Sequence, residues 1–199
     1  MTTSALAQQL FGHATHLLAK VATPESTRLM ADLPALPVGT DTPPVDRPVS
    51  RFRTGLPALA APATRPLVDA FAQADATDMS WYQSYTAADF GAAFIDNYGW
   101  VEILGPFAPF ACESHRLGIL LFGPDTHYPS HAHEPEEIYI VLAGEILWTH
   151  ADQPEISCAP GTVIHHATMV PHALTTQSTP VALLALWRGG NLARKSDIL

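Results

Sequence analysis

From Trp100 onward the chain breaks into short β-rich runs separated by turn residues, and this pattern limits the fold more than any other feature of the sequence. The runs are 100–104, 115–122, 137–142, 145–150, 162–165, 172–176 and 181–188. Seven short strands in about 90 residues fit a sandwich or a barrel and not alternating βαβ units. Gly144 divides 137–150 into what reads as a hairpin. Before Trp100 the period changes. Leu6, Leu10, Leu17, Leu18 and Val21 recur near helical spacing and predict a helix over 4–22. Thr23-Pro24-Glu25 reads as the start of a second helix, with Thr23 as N-cap, Pro24 in the first turn and Glu25 at the positive end of the dipole. A third helix over 66–76 would place Leu67 and Phe71 on one face, and more helix is expected near 86–97. The stretch 34–48 carries Pro34, Pro37, Pro43, Pro44 and Pro48, a density that allows neither helix nor central strand and predicts a linker or wrapping loop. The expected protein is mainly β: a helical N-terminal extension, 1–99, packed on a β-barrel, 100–199.

Length and charge narrow the functions. A chain of 199 residues suits one main domain with an appendage. A formal net charge of -9 argues against a nucleic-acid footprint, which needs clustered Lys and Arg. An anionic substrate would therefore need a local cation. The two cysteines, Cys112 and Cys158, imply no disulfide framework and read as small buried side chains. The segment Met1–Ser4 lacks the basic start of a secretory leader, and no apolar run reaches the length of a membrane span. The default expectation is a cytoplasmic protein without a membrane partner. Barrel edges and apolar helical stripes leave room for a homodimer.

Ten histidines are present, and seven of them lie between His127 and His172. The segment His131-Ala132-His133-Glu134-Pro135-Glu136-Glu137-Ile138-Tyr139-Ile140-Val141-Leu142-Ala143-Gly144 holds the chemistry. On a strand, positions 137, 139 and 141 share one face and 138, 140 and 142 the other. The Ile, Ile, Leu face wants an apolar layer. Glu137 and Tyr139 suit a core only if something pairs them. The turn Glu134-Pro135-Glu136 can fold back and bring His131 and His133 beside Glu137. Imidazole with carboxylate suits one divalent first-row ion, whether Fe, Zn, Mn, Ni or Co. A further ligand should come from a neighbouring strand, and His172 after Pro171 fits best. Such a set leaves positions open for water or substrate, as catalytic centres do. His165 and His166 are adjacent and so point to opposite faces; one could approach the site, but surface or loop positions are the better reading for them, and His127 and His150 read as structural or solvent-facing. Glu134 and Glu136 read as a solvated turn.

These spacings resemble the cupins, the double-stranded β-helix or jelly-roll barrels. Their first motif, G-x5-H-x-H-x3-4-E-x6-G, is matched by His131, His133, Glu137 and Gly144, with Asp125 in place of the initial glycine. Their second, G-x5-P-x-G-x2-H-x3-N, is matched by Gly161 and His172, with Ala167, Met169 and Thr176 replacing its inner Pro, Gly and final Asn. The two motifs cover residues 123–176 and imply a cupin barrel.

A narrower resemblance rests on His127-Tyr128-Pro129-Ser130-His131-Ala132-His133-Glu134-Pro135-Glu136-Glu137-Ile138-Tyr139 and on the tail Trp187-Arg188-Gly189-Gly190-Asn191. It is similar to the cupin dimethylsulfoniopropionate (DMSP) lyases, the Q type in particular. The resemblance implies cleavage of DMSP to acrylate and dimethyl sulfide. It implies metal ligation by His133, Glu137 and His172, with Tyr139 as a further ligand and His131 as either a ligand or a donor that orients one. Tyr139 is the first choice of base and Tyr128 the second. The sulfonium would meet an aromatic wall of Tyr128, Trp148 and Trp187, with His131 beside it. The competing readings are another metallocupin enzyme, either an Fe-dependent dioxygenase or a sugar-phosphate isomerase, and a non-catalytic sensor. The isomerase would need basic residues converging on the barrel, for which Arg116 and Arg188 are the evident candidates.

Overall fold

One leucine face decides where the first helix packs. In a computed structural model, which describes residues 1–36 and 39–199, α1 spans Thr3–Lys20 and buries Leu6, Leu10, Leu17 and Leu18. Pro37, one of the prolines read as a wrapping loop, lies outside the described residues. Helix α2, Pro24–Met30, starts at a capping box in which Thr23 and Ser26 each accept the other's backbone N–H, at 3.1 and 2.8 Å. Helix α3, Arg65–Gln73, buries Leu67, Val68 and Phe71. Its last carbonyls are capped by the buried Arg53 guanidinium, which donates to Phe71, Ala72 and Ala74 at 2.6–2.8 Å. Arg53 lies on a 3-10 stretch, Pro48–Leu59, that the sequence reading did not foresee. The helix expected over 86–97 is two short pieces, α4 (Ala87–Phe90) and α5 (Ala92–Asp96), split where Gly91 turns to φ 83°.

The strands are β1 (Trp81–Tyr82), β2 (Tyr98–Gly105), β3 (Phe110–Ala111), β4 (His115–Phe122), β5 (His127–Ala132), β6 (Glu136–Ala143), β7 (Ile146–His150), β8 (Ile156–Cys158), β9 (Val163–His166), β10 (His172–Thr176), β11 (Val181–Arg188) and β12 (Asp197–Ile198). One sheet runs β1-β2-β4-β11-β6-β9, with β3 added parallel to β2, and the other runs β12-β5-β10-β7-β8. Together they form the cupin barrel, with the helices applied to the first sheet. Alternation along β6 separates two cores. Ile138, Ile140 and Leu142 join the leucines of α1, α2 and α3, whereas Tyr139 and Val141 face into the barrel with Tyr98, Tyr128 and Leu183. The apolar layer that Ile138, Ile140 and Leu142 require is thus supplied by the first 75 residues of the chain.

The hairpin expected at Gly144 does not form. Strand β6 pairs with β11 and β9, while β7 pairs with β10 and β8, so the chain crosses from one sheet to the other at this glycine. Gly144 sits at φ 73°, and a Cβ there would run into the Pro180 carbonyl, so the crossing admits no side chain. Asp125 and Met169, the residues that replace the two motif glycines, keep the left-handed conformation at φ 52° and 59°. Met169 N–H donates to the His133 carbonyl at 2.8 Å and so ties the β9–β10 loop to the turn that carries His133. In the Glu134–Glu136 turn Glu134 is exposed, as its sequence implies, whereas Glu136 is partly buried. Glu136 pairs with Arg28 of α2 and lies 2.6 Å from His165 Nε2, and Glu134 meets Arg194 at 3.0 Å. Among the described residues no helix is long and apolar enough to cross a membrane.

The shared core predicts that helices and barrel unfold together. Leu10→Ala, at a position with 0% exposure, should cost about 2–5 kcal/mol and lower the urea midpoints of far-UV circular dichroism and tryptophan fluorescence together. Separate transitions for the two signals would refute the shared core.

Candidate metal centre and substrate cavity

The site forms where the two sheets face each other. His131 on β5 lies in register with His172 on β10, and Glu137 on β6 lies in register with Trp187 on β11 and His166 on β9. His133 sits on the turn between β5 and β6 and closes the gap. All five of these acid and imidazole side chains are buried, Glu137 completely. Ligand atoms of His131, His133 and His172 lie within 4.8 Å of one another, as do those of Glu137, His166 and His172.

Three of the imidazoles have their tautomer fixed in the same way. His131 Nδ1 lies 2.8 Å from the Pro129 carbonyl, His133 Nδ1 2.7 Å from that of Pro135, and His172 Nδ1 2.9 Å from that of Val170. A carbonyl only accepts, so each proton sits on Nδ1 and each Nε2 turns a lone pair inward. Glu137 Oε2 lies 3.1 Å from His133 Nε2 and 3.8 Å from His172 Nε2. Lone pairs therefore face a buried carboxylate, and His172 Nε2 has no hydrogen-bond partner among the described residues. Such an arrangement is repulsive until a positive charge enters it. A divalent cation fits that requirement, and the residues that could hold it fall into two triads that share His172, one with His131 and His133 and the other with Glu137 and His166.

The electrostatics point the same way. Burial pushes the His131 imidazole down to about 4 and holds His172 well below the ordinary value, so both stay neutral donors. Burial opposes protonation of His133 too, yet the adjacent Glu137 carboxylate outweighs it and raises His133. Burial would raise the Glu137 carboxyl, but His133 and His166 override it and hold it well below the usual carboxylate range. Burial, reinforced by the Glu137 charge, holds the Tyr139 phenol well above its ordinary value, and burial beside Tyr85 does the same for Tyr128.

A small cavity opens beside Glu137, lined by Tyr98, Trp100, Tyr128, Tyr139 and Trp187 among others, with Arg194 and Ser196 from the C-terminal tail. Trp187 is fixed there by its indole N–H, which donates to Glu137 Oε1, and its ring lies 4.3 Å from that of His133. Tyr128 stacks on His131 at 4.0 Å, and its hydroxyl lies 2.9 Å from that of Tyr85. Tyr139 packs its ring 4.7 Å from His166. Trp148, expected in the wall, sits elsewhere: its indole donates to His166 Nε2 at 3.2 Å, on the far side of that ring from Glu137. Neither basic candidate converges on the cluster. Arg116 pairs with buried Glu102 at 2.7 Å and stacks over Trp100, and Arg188 pairs with Asp32 at 2.9 Å.

Sequence reasoning missed several contributors. His166, read as a surface or loop residue, has 0% exposure and adjoins Glu137. The pairing of β9 with β6 puts it there, and only its place on an alternating strand hinted at this. Trp100 was read only as the start of a strand and Tyr98 was not singled out, yet both, on β2, line one side of the cavity. Tyr85, Phe90 and Phe94, from the helical half, pack around Tyr128 and close that end of the barrel.

Residues 22–183 match the family model described as dimethylsulfoniopropionate lyase. The dimethylsulfoniopropionate lyase DddQ of Ruegeria pomeroyi is 33% identical over 146 residues, covering 73% of this chain and 72% of that protein. The crystal structure of DddQ from the same organism superposes with a TM-score of 0.86 at 28% identity, covering 98% of this chain and 96% of the other. A chain from crystal structures of the DMSP lyases RdDddP and RnDddQII superposes with a TM-score of 0.87 at 33% identity over the full length of both chains. With the fold, the motif residues and these relatives in agreement, the chain belongs to the DMSP lyase family, cupin enzymes of the lyase class.

Proposed function

We propose that the protein cleaves DMSP by metal-dependent β-elimination to acrylate and dimethyl sulfide. The observation that carries this reading is the set of inward Nε2 lone pairs around Glu137 at the edge of an aromatic cavity that also holds two buried phenols. His133, Glu137 and His172 would hold one divalent first-row ion, with His131 as a further nitrogen donor and Tyr139 within reach of the same ligands. When bound, the ion would supply positive charge: as a Lewis acid it would hold the substrate carboxylate, stabilise charge developing there and lower the pKa of a phenol beside it.

The chain's own residues do the rest. Tyr139, on the ligand face of β6, takes the proton from the carbon next to the carboxylate, with Tyr128 the second candidate for this step. The C–H electron pair becomes the C=C bond of acrylate, and the C–S pair leaves with sulfur as dimethyl sulfide. Tyr98, Tyr128 and Trp187 present ring faces to the sulfonium, an attraction of about 0.5–2 kcal/mol for each well-placed ring. Burial of the cavity keeps competing water off the reacting carbon. Membership of the family and the engagement of Arg116, Arg188 and the cavity-lining Arg194 in other pairs leave the isomerase and dioxygenase readings without a supporting observation.

Headspace detection of dimethyl sulfide from DMSP tests the reading. The ion-loaded wild type should release it, and Tyr139→Phe should lower kcat by about 10²–10⁴-fold with ion content unchanged. A Tyr139→Phe variant of wild-type activity would remove Tyr139 as the base, and absence of the gas across several metals would end the assignment. A second expectation concerns acid. His133 is raised, and His131 and His172 are lowered, so as pH falls the first proton to compete with the ion goes to His133. Apparent affinity for Co2+ or Zn2+ should therefore begin to fall as pH drops through the raised range of His133, well before His131 titrates. Affinity that stays constant down to pH 5 would contradict this order.

A further inference from the structure

His166 is the fourth buried imidazole at the centre, and its ligand atom is as well placed for an ion as those of its neighbours. It shares a group within 4.8 Å with Glu137 and His172, and its ring stacks on His172 with centroids 3.9 Å apart. Its Nδ1 lies 3.1 Å from Glu137 Oε2 and its Nε2 lies 3.2 Å from Trp148 Nε1. Position alone allows two roles, a ligand through Nδ1 or a donor from Nδ1.

Trp148 separates them. An indole N–H donates and cannot accept, so His166 Nε2 must turn its lone pair to Trp148 and the ring proton must sit on Nδ1. An Nδ1 that carries a proton cannot coordinate, but it can donate to the carboxylate in front of it. The other three histidines are set the opposite way, with Nδ1–H spent on a backbone carbonyl and Nε2 turned toward the centre. The carboxylate is thereby held from both sides: Trp187 donates to Oε1, and His166 presents its N–H to Oε2. That N–H approaches obliquely, and among the described residues Nδ1 has no aligned partner, so His166 orients the carboxylate by its dipole as well as by the contact itself.

We propose that His166, locked in its Nδ1–H tautomer by Trp148, is a positioning residue that aims Glu137 at the ion and is not itself a ligand. The inference rests on the metal centre proposed above. It gives Trp148 a role at the carboxylate in place of the substrate wall.

The test uses the full chain loaded with Co2+ and three variants: His166→Leu, which removes the donor; His166→Gln, which keeps an N–H; and Trp148→Phe, which removes the lock. Co2+ affinity comes from the visible absorption spectrum and the imidazole count from X-ray absorption. His166→Leu should bind Co2+ about 10–100-fold more weakly with the same number of imidazoles, and His166→Gln should restore most of that loss. In Trp148→Phe, Nε2 is free to take the proton, and an Nδ1 lone pair can add an imidazole to the count. Loss of an imidazole in His166→Leu would make His166 a ligand, and wild-type affinity in that variant would make it a bystander; either overturns the proposal. The lock has its own readout without any ion. Nitrogen-15 shifts of the imidazoles in metal-free protein should show His166 protonated at Nδ1, with that preference lost in Trp148→Phe. If the wild type takes up no Co2+ the metal centre fails, while a persistent Nδ1–H signal still reports the lock; an Nε2–H signal in the wild type sinks the inference by itself. Should His166→Leu fail to fold, His166→Gln and Trp148→Phe carry the same comparison.

Discussion

The structure turns on the burial of one carboxylate. Glu137 is fully enclosed and lies next to imidazole nitrogens that have already given their protons to backbone carbonyls. A buried anion among lone pairs costs several kcal/mol unless a cation answers it. Groups that surround Glu137 can be sorted by how they meet that cost. Trp187 and His166 offer N–H dipoles to its two oxygens, and His133 is the imidazole most ready to accept a proton when no other cation is at hand. Tyr139 feels the same charge, which is why its phenol resists ionisation until positive charge is near.

The barrel exists to hold these opposed groups at fixed distance. Neither sheet contains the site alone: one brings His131 and His172, the other Glu137, His166 and Trp187, and a short turn between them brings His133. The outer face of β6 is held by the N-terminal leucines and the inner face carries the chemistry, so a slip of one residue along this strand would exchange them. The helical half also reaches the site directly, since Tyr85 meets Tyr128 and Ser84 lines the cavity. The N-terminal half is therefore part of the cavity wall as well as a cover for the sheet.

Much of this could be read from residues alone because it is encoded over short distances. The strands at 115–122, 172–176 and 181–188 follow from short β-rich runs bounded by turn residues, and the two faces of β6 from alternation within a few residues. His131, His133 and Glu137 are joined by one turn, so their meeting needs no knowledge of the rest of the chain. His166 was not legible for the opposite reason. Of two adjacent histidines one must face inward, but which one, and onto what, is decided by pairing with a strand nearly thirty residues away. Tyr98, Trp100 and Trp148 failed to declare their places on similar grounds: aromatic residues serve core, cavity and hydrogen bond alike, and only the fold separates these uses. The hairpin at Gly144 was misjudged because a left-handed glycine serves a tight reversal and a crossing between sheets equally well.

Asp125 and Met169 show what the barrel demands at its two turns. Each stands where the motif writes glycine, and each keeps the positive φ that glycine would have adopted without strain. The requirement at these corners is thus a torsion and not a letter. A relative could wander further from the written signature, placing still other side chains at these bends, and yet hold its histidines at the same spacing, provided the chain still turned left-handed there.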